Sequence, residues 1–112
     1  MTDLKKIVQI VIDAAEDKKA NDVLTLDISE LSTIADYFVI CSAANPIQAK
    51  AIADNIEEKM AEETSMELRH KEGYNNANWI LLDYGDIVVH IFQEDDRRFY
   101  NIEQLWADAP VL

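Results

Sequence analysis

The sequence predicts a single α/β domain in which helices pack on a mixed β-sheet. Three observations carry that expectation. Segments with apolar residues at helical spacing alternate with strand-like segments, in the order helix, strand, strand, helix, three strands, helix. The chain has 112 residues, near the commonest domain size, and no repeat or linker divides it, so residues 1–112 read as one domain. Hydrophobic residues make up 49%, with only two glycines and two prolines, which suits a packed core joined by short connections.

From Leu4, the apolar positions Leu4, Ile7, Val8, Val11, Ala14 and Ala15 recur at helical spacing. Thr2 or Asp3 can cap the start, Lys18 and Lys19 suit the negative end, and Asn21 is a plausible stop. Leu24, Leu26 and Ile28 alternate with Thr25 and Asp27, the pattern of a half-buried strand. The nearly continuous apolar run from Tyr37 to Cys41 predicts a strand covered on both faces. Asn45-Pro46 then opens a helix, as N-cap and first helical residue, with Ala49, Ile52, Ala53, Ile56 and Met60 on one side. Met66, Leu68 and His70 alternate with charged residues, predicting a strand up to Gly73, and Asn75 to Asn78 is turn chemistry. Asp95 can cap a terminal helix that presents Phe99, Ile102 and Trp106.

Trp79 to Tyr84 and Ile87 to Phe92 form the clearest hairpin, joined by Gly85-Asp86 in a type II′ turn. A two-residue loop fixes register: Tyr84 opposes Ile87, Leu82 opposes Val89, and Ile80 opposes Ile91. That face is wholly apolar or aromatic and belongs to the core. The other face pairs Trp79 with Phe92, Leu81 with His90, and Asp83 with Val88. It mixes large apolar groups with a carboxylate and an imidazole, as protein–protein contacts do. The alternative is that a helix covers this face and Trp79 is ordinary core.

The charge is −12, from 22 acidic against 10 basic residues. Such a surface is badly matched to a phosphate backbone, which excludes general nucleic-acid binding, and it fits either high solubility or a basic protein partner. The one cysteine, Cys41, sits beside Val39 and Ile40 and reads as a buried thiol in a reducing compartment. No run reaches the ~18 apolar residues of a membrane helix. Lys5-Lys6 precede an apolar run broken by Gln9 and followed by Asp13, Glu16 and Asp17, an amphipathic helix and not an export signal. The expected location is the cytoplasm.

The carboxylate, histidine and serine groupings form no complete catalytic constellation. Asp83 with Asp86 could hold a divalent cation, but two carboxylates rarely make a dedicated site. Glu94-Asp95-Asp96 reads as a helix start and Glu62-Glu63 as a solvated helix end. His70 and His90 lie on different strands without zinc-ligand spacing. Ser32, Ser42 and Ser65 lack a nucleophile elbow, and no glycine-rich phosphate loop exists. The expectation is no enzyme activity, no metal and no cofactor. The competing reading is a metal-dependent nucleotidyltransferase-like enzyme using Asp83 and Asp86, and a third is a scaffold whose mixed hairpin face serves a homodimer.

Several segments resemble the ribosomal silencing factor family, also called Iojap-like. They are Ile34 to Cys41, Gln48 to Asp54, Glu72-Gly73, and the run Trp79 to Phe92 with its pattern W-x-x-x-D-x-G-D-x-x-x-H. The ending Arg98 to Trp106 is similar to the family's closing R-x-x-Y-x-x-E-x-L-W. The similarity runs from about Leu4 to Pro110. It implies a nucleotidyltransferase-like fold without the Gly-Ser and paired aspartates of active members. It also implies binding to the large ribosomal subunit through the basic ribosomal protein fourteen, blocking small-subunit joining when nutrients are scarce. The implied partner contact falls on Trp79, Asp83, Tyr84, Gly85 and Asp86, with Glu72 and Tyr100 beside them. Lys71 stands where the family often has valine.

Overall fold

The computed structural model describes residues 3–112. In chain order the elements are α1 (Leu4–Asp17), β1 (Asn21–Asp27), β2 (Tyr37–Ala43), α2 (Pro46–Glu63), β3 (His70–Glu72), β4 (Trp79–Asp83), β5 (Ile87–Gln93), α3 (Glu94–Tyr100) and α4 (Ile102–Leu105). The strands form one mixed sheet in the order β1-β2-β5-β4-β3. β2 and β5 pair in parallel, and the other neighbours are antiparallel. The α/β expectation holds.

Helices α1 and α2 lie together on one face of the sheet. Ile7, Val8, Val11, Ala14 and Ala15 of α1, and Ala49, Ile52, Ala53, Ile56 and Met60 of α2, are all buried there. They meet Val39, Cys41, Ile80, Leu82, Tyr84, Ile87, Val89 and Ile91 from the strands. The Cys41 thiol is fully enclosed, and burial pushes its pKa up to about 12, which leaves it protonated and unreactive. Asp3 caps α1, its carboxylate accepting from the Lys5 N–H at 3.0 Å; Thr2, the other candidate cap, lies outside the described residues. Asn45 caps α2 by accepting from the Gln48 N–H at 2.8 Å, with Pro46 in the first turn. Gln48 in turn donates to the Lys18 and Lys19 carbonyls, tying the end of α1 to the start of α2.

Four boundaries differ from the sequence expectation. Asn21 does not stop α1: it begins β1, and the chain turns instead at Lys19, which takes a left-handed φ of 66°. Only His70–Glu72 pairs as β3; Met66 and Leu68 pack against the core ahead of it without joining the ladder. β4 ends at Asp83, because Tyr84 already closes the turn with its N–H on the Ile87 carbonyl at 2.9 Å. The terminal helix is two short helices. Asn101 adopts a left-handed conformation (φ 43°, ψ 52°) and its N–H closes α3 on the Arg97 carbonyl. Asparagine tolerates that conformation better than most residues, and the corner turns the chain back onto the sheet. Asp95 lies in the first turn of α3 and pairs with Arg98; the cap residue is Gln93.

The hairpin register matches the expected pairing at every position from Trp79–Phe92 to Asp83–Val88. Gly85 has φ +90° and Asp86 is not among the residues of positive φ, as a type II′ turn requires. Gly73 is the second glycine with a left-handed φ, +78°, and a Cβ added there would collide with the Trp79 carbonyl oxygen. Gly73→Ala is therefore expected to destabilise the domain by about 3 kcal/mol, from backbone strain plus overpacking, measured as a lower urea midpoint at unchanged slope.

Candidate interaction surface

The alternation of β4 turns Ile80 and Leu82 towards the helices and Trp79, Leu81 and Asp83 away from them. Cross-strand pairing adds two neighbours on the same side, because Glu72 lies opposite Leu81 and His70 opposite Asp83. This second face of the sheet is covered by the C-terminal segment and by Ile28 and Ala35 of the β1–β2 connection. Ile102, Ala109 and Trp106 pack with Leu26, Phe38, Ile40, Val88 and Phe92, and Val111 bridges to Leu26 on the outer edge of β1. The cover thus lies over β1, β2 and β5. Over β4 it is incomplete: Trp79, Leu81 and Asp83 are half-buried, while Glu72 and Tyr100 are exposed.

An aromatic cluster occupies the boundary between covered and open sheet. Trp79 stacks on Phe92 with centroids 4.8 Å apart and touches Tyr100 at 4.9 Å. Phe99 stands edge-on to Tyr100 and is 81% exposed, unlike Ile102, which is buried. The Trp79 Nε1–H donates to His90 Nδ1 at 3.1 Å, so half of the indole is anchored internally while the rest meets solvent. Neither expectation for Trp79 was complete: the residue is part core and part surface.

The remaining candidates separate by element. Asp83 accepts from the Gly85 N–H at 2.7 Å, a turn in which the carboxylate holds its own hairpin. Asp86 is exposed at the tip, and its carbonyl accepts from the Asp36 and Tyr37 N–H groups. Gly85 lies beneath the Arg69 guanidinium, 2.9 Å from where a Cβ would stand. The Tyr84 side chain points to the opposite, helix-covered face, where burial, then nearby Glu57, pushes its pKa up to about 12. Trp79, Asp83, Glu72 and Tyr100 therefore share one face, Gly85 and Asp86 border it at the turn, and the Tyr84 ring is absent from it.

Sequence reasoning passed over Arg97. Counting back three residues from Tyr100 in the R-x-x-Y pattern reaches Arg97, not Arg98, and that spacing was the available signal. Arg97 Nε pairs with Glu103 at 2.5 Å, and its Nη1 donates to the Asp22 carbonyl and the Ser42 hydroxyl. One guanidinium thus binds α3 to α4, β1 and β2, fixing the corner that delivers Tyr100 to Trp79. Leu81 lies on this face as its pairing with His90 predicts, whereas nothing in the local pattern places the Arg69 side chain over the turn.

Among the described residues, no group of three or more His, Cys, Asp or Glu comes together as a metal site. No helix among them is long and apolar enough to cross a membrane.

His90 is 4% exposed, and burial alone lowers its pKa from 6.5 to about 4. The groups packed on it, Trp79, Phe38 and Phe92, carry no charge. Between pH 6.5 and pH 4 the unfolded chain binds a proton there that the folded one refuses. Stability linked to His90 is thus complete above pH 6.5 and lost as pH falls through about 4. The total loss is about 3 kcal/mol. Denaturant titrations of the parent and His90→Leu proteins across that range should diverge by this amount, the parent losing more.

The family model described as "Ribosomal silencing factor during starvation" matches residues 1–112. The chain is 44% identical over 107 residues to the ribosomal silencing factor RsfS of Bacillus subtilis, covering 96% of this chain and 90% of that one. It is 43% identical over 108 residues to the RsfS of Halalkalibacterium halodurans, covering 96% and 92%. A crystal structure of a Chromobacterium violaceum protein superposes with a TM-score of 0.91 at 31% identity, covering 95% of this chain and 88% of the other. With a family model matched along its full length and relatives this similar over nearly all of it, the chain belongs to the ribosomal silencing factor family.

Proposed function

We propose that the protein is a translational repressor that binds the large ribosomal subunit through ribosomal protein fourteen and thereby blocks joining of the small subunit. The observation that carries this reading is the uncovered half of the second sheet face, where Trp79, Leu81 and Tyr100 stand beside Asp83 and Glu72. An aromatic centre with a carboxylate rim suits a basic protein surface, and the −12 charge disfavours the ribosomal RNA around it. The activity is binding and not catalysis. Asp83 is engaged with its own turn, at the end of β5 opposite to the carboxyl ends of the parallel strands, where α/β enzymes place their ligands. Near those carboxyl ends the Arg97 side chain is occupied by Glu103 and Ser42. The cytoplasm, where ribosomes translate, is the corresponding location.

The protein is expected to co-sediment with isolated large subunits and not with small ones. Trp79→Ala should weaken that binding by about 2 kcal/mol or more. Asp83→Asn, which keeps the acceptor for Gly85 and removes the charge, should also weaken it while the melting temperature stays near the parent's. Equal binding to both subunits, or undiminished binding by both variants, would sink this reading.

Association should also be steered by charge. The on-rate for large subunits, followed by stopped flow, is expected to fall roughly tenfold from low to physiological ionic strength. A flat profile would assign the acidic surface to solubility alone.

A further inference from the structure

We infer that His90 is a positioning residue, whose imidazole holds the Trp79 indole in one orientation on the exposed aromatic face. This rests on the reading that Trp79 meets the ribosomal partner, and it identifies what prepares Trp79 for that contact.

The chemistry of the pair leads there. An indole N–H only donates, so the 3.1 Å contact makes His90 Nδ1 the acceptor and leaves the ring proton on Nε2. Nε2 is buried and has no hydrogen-bond partner among the described residues. A buried donor without a partner opposes folding, and a leucine or phenylalanine between Phe38 and Phe92 would avoid that cost. Packing alone therefore argues against histidine at this position. What histidine adds is the acceptor that turns the Trp79 N–H inwards.

With its N–H held by His90, its face on Phe92 and its side against Tyr100, the indole has three fixed contacts, two from β5 and one from α3. It offers a partner ring surface and no free donor. The loss of rotamer freedom that binding would otherwise impose on Trp79 has already been incurred in folding. Burial keeps His90 uncharged, so the acceptor persists across the neutral range.

The test compares the parent with His90→Leu and with His90→Asn, which keeps an oxygen near the position of Nδ1. Three quantities are read: the Trp79 indole N–H resonance by NMR, the affinity for isolated large subunits, and the melting temperature. In His90→Leu the resonance should move and exchange faster with solvent. Its affinity should fall about 2- to 10-fold, the cost of ordering one side chain. Its melting temperature should equal or exceed the parent's, which a purely structural histidine would not allow. His90→Asn should recover part of the affinity. In the parent, the same resonance should move as pH falls through about 4. An indole resonance unmoved in His90→Leu, or unmoved by acid in the parent if that variant fails to fold, overturns the inference without reference to the ribosome. Weakened binding by Trp79→Ala beside full binding by His90→Leu overturns the positioning role and leaves the proposed function standing. Full binding by Trp79→Ala overturns the contact itself, and His90's part in it.

Discussion

The parallel pairing of β2 with β5 is the constraint on which the rest of the structure depends. Every residue of β2 and all but the last of β5 are buried, so the sheet needs cover on both faces. On one face α1 and α2 supply it completely, with an apolar stripe on each helix. On the other face the cover comes from Ile28 and Ala35 of the β1–β2 connection and from Glu94–Leu112, which forms two short helices and a tail hydrogen-bonded along β1. Among the described residues this cover lies over the β1–β2–β5 half. Trp79 and Leu81 stay half-buried because the cover over the described sheet lies on its β1–β2–β5 side. A sheet face left open in this way is where a second protein can complete the core.

In the proposed function, charge selects the kind of protein that fits there. An apolar opening on a neutral domain would attract its own copies and other chains indiscriminately. Here Glu72, Asp83 and Asp86 rim the opening, on a domain of net charge −12. On the proposed function, this charge disfavours like-charged copies and phosphate backbones and favours a basic surface. The aromatic residues then supply contact area and the carboxylates supply choice, a division of labour common at interfaces.

The hairpin shows how much of this was legible beforehand. A two-residue turn with glycine first leaves one register, so the faces of β4 and β5 followed from Gly85-Asp86 alone, and the capping of α2 followed from Asn45-Pro46. What stayed hidden was of another kind. Phe99, Ile102 and Trp106 keep helical spacing, so the periodicity reads straight through the break at Asn101, where only a left-handed backbone redirects the chain. The extent of cover over Trp79 depended on where that redirected chain runs, which no local pattern encodes. Tyr84 was legible as a core residue from the register, yet the family motif placed it in the contact; its side chain follows the register.

Arg97 and His90 show why a residue can be decisive for a surface without lying on it. Arg97 is half-buried among Glu103, Ser42 and the Asp22 carbonyl, and it holds the α3–α4 corner from which Tyr100 reaches Trp79. His90 grips the same indole from below at the expense of an unpartnered Nε2. His90 is a polar group where an apolar one would pack at lower cost, and Arg97 bears on the same indole through the corner that carries Tyr100. The choice between core and contact for Trp79 is therefore a false one. A ring free to turn would lose much of its contact energy to ordering on binding. A ring fully sunk in the core could meet nothing. Half-buried and anchored by its one donor, Trp79 has the rigidity of the first environment and the access of the second.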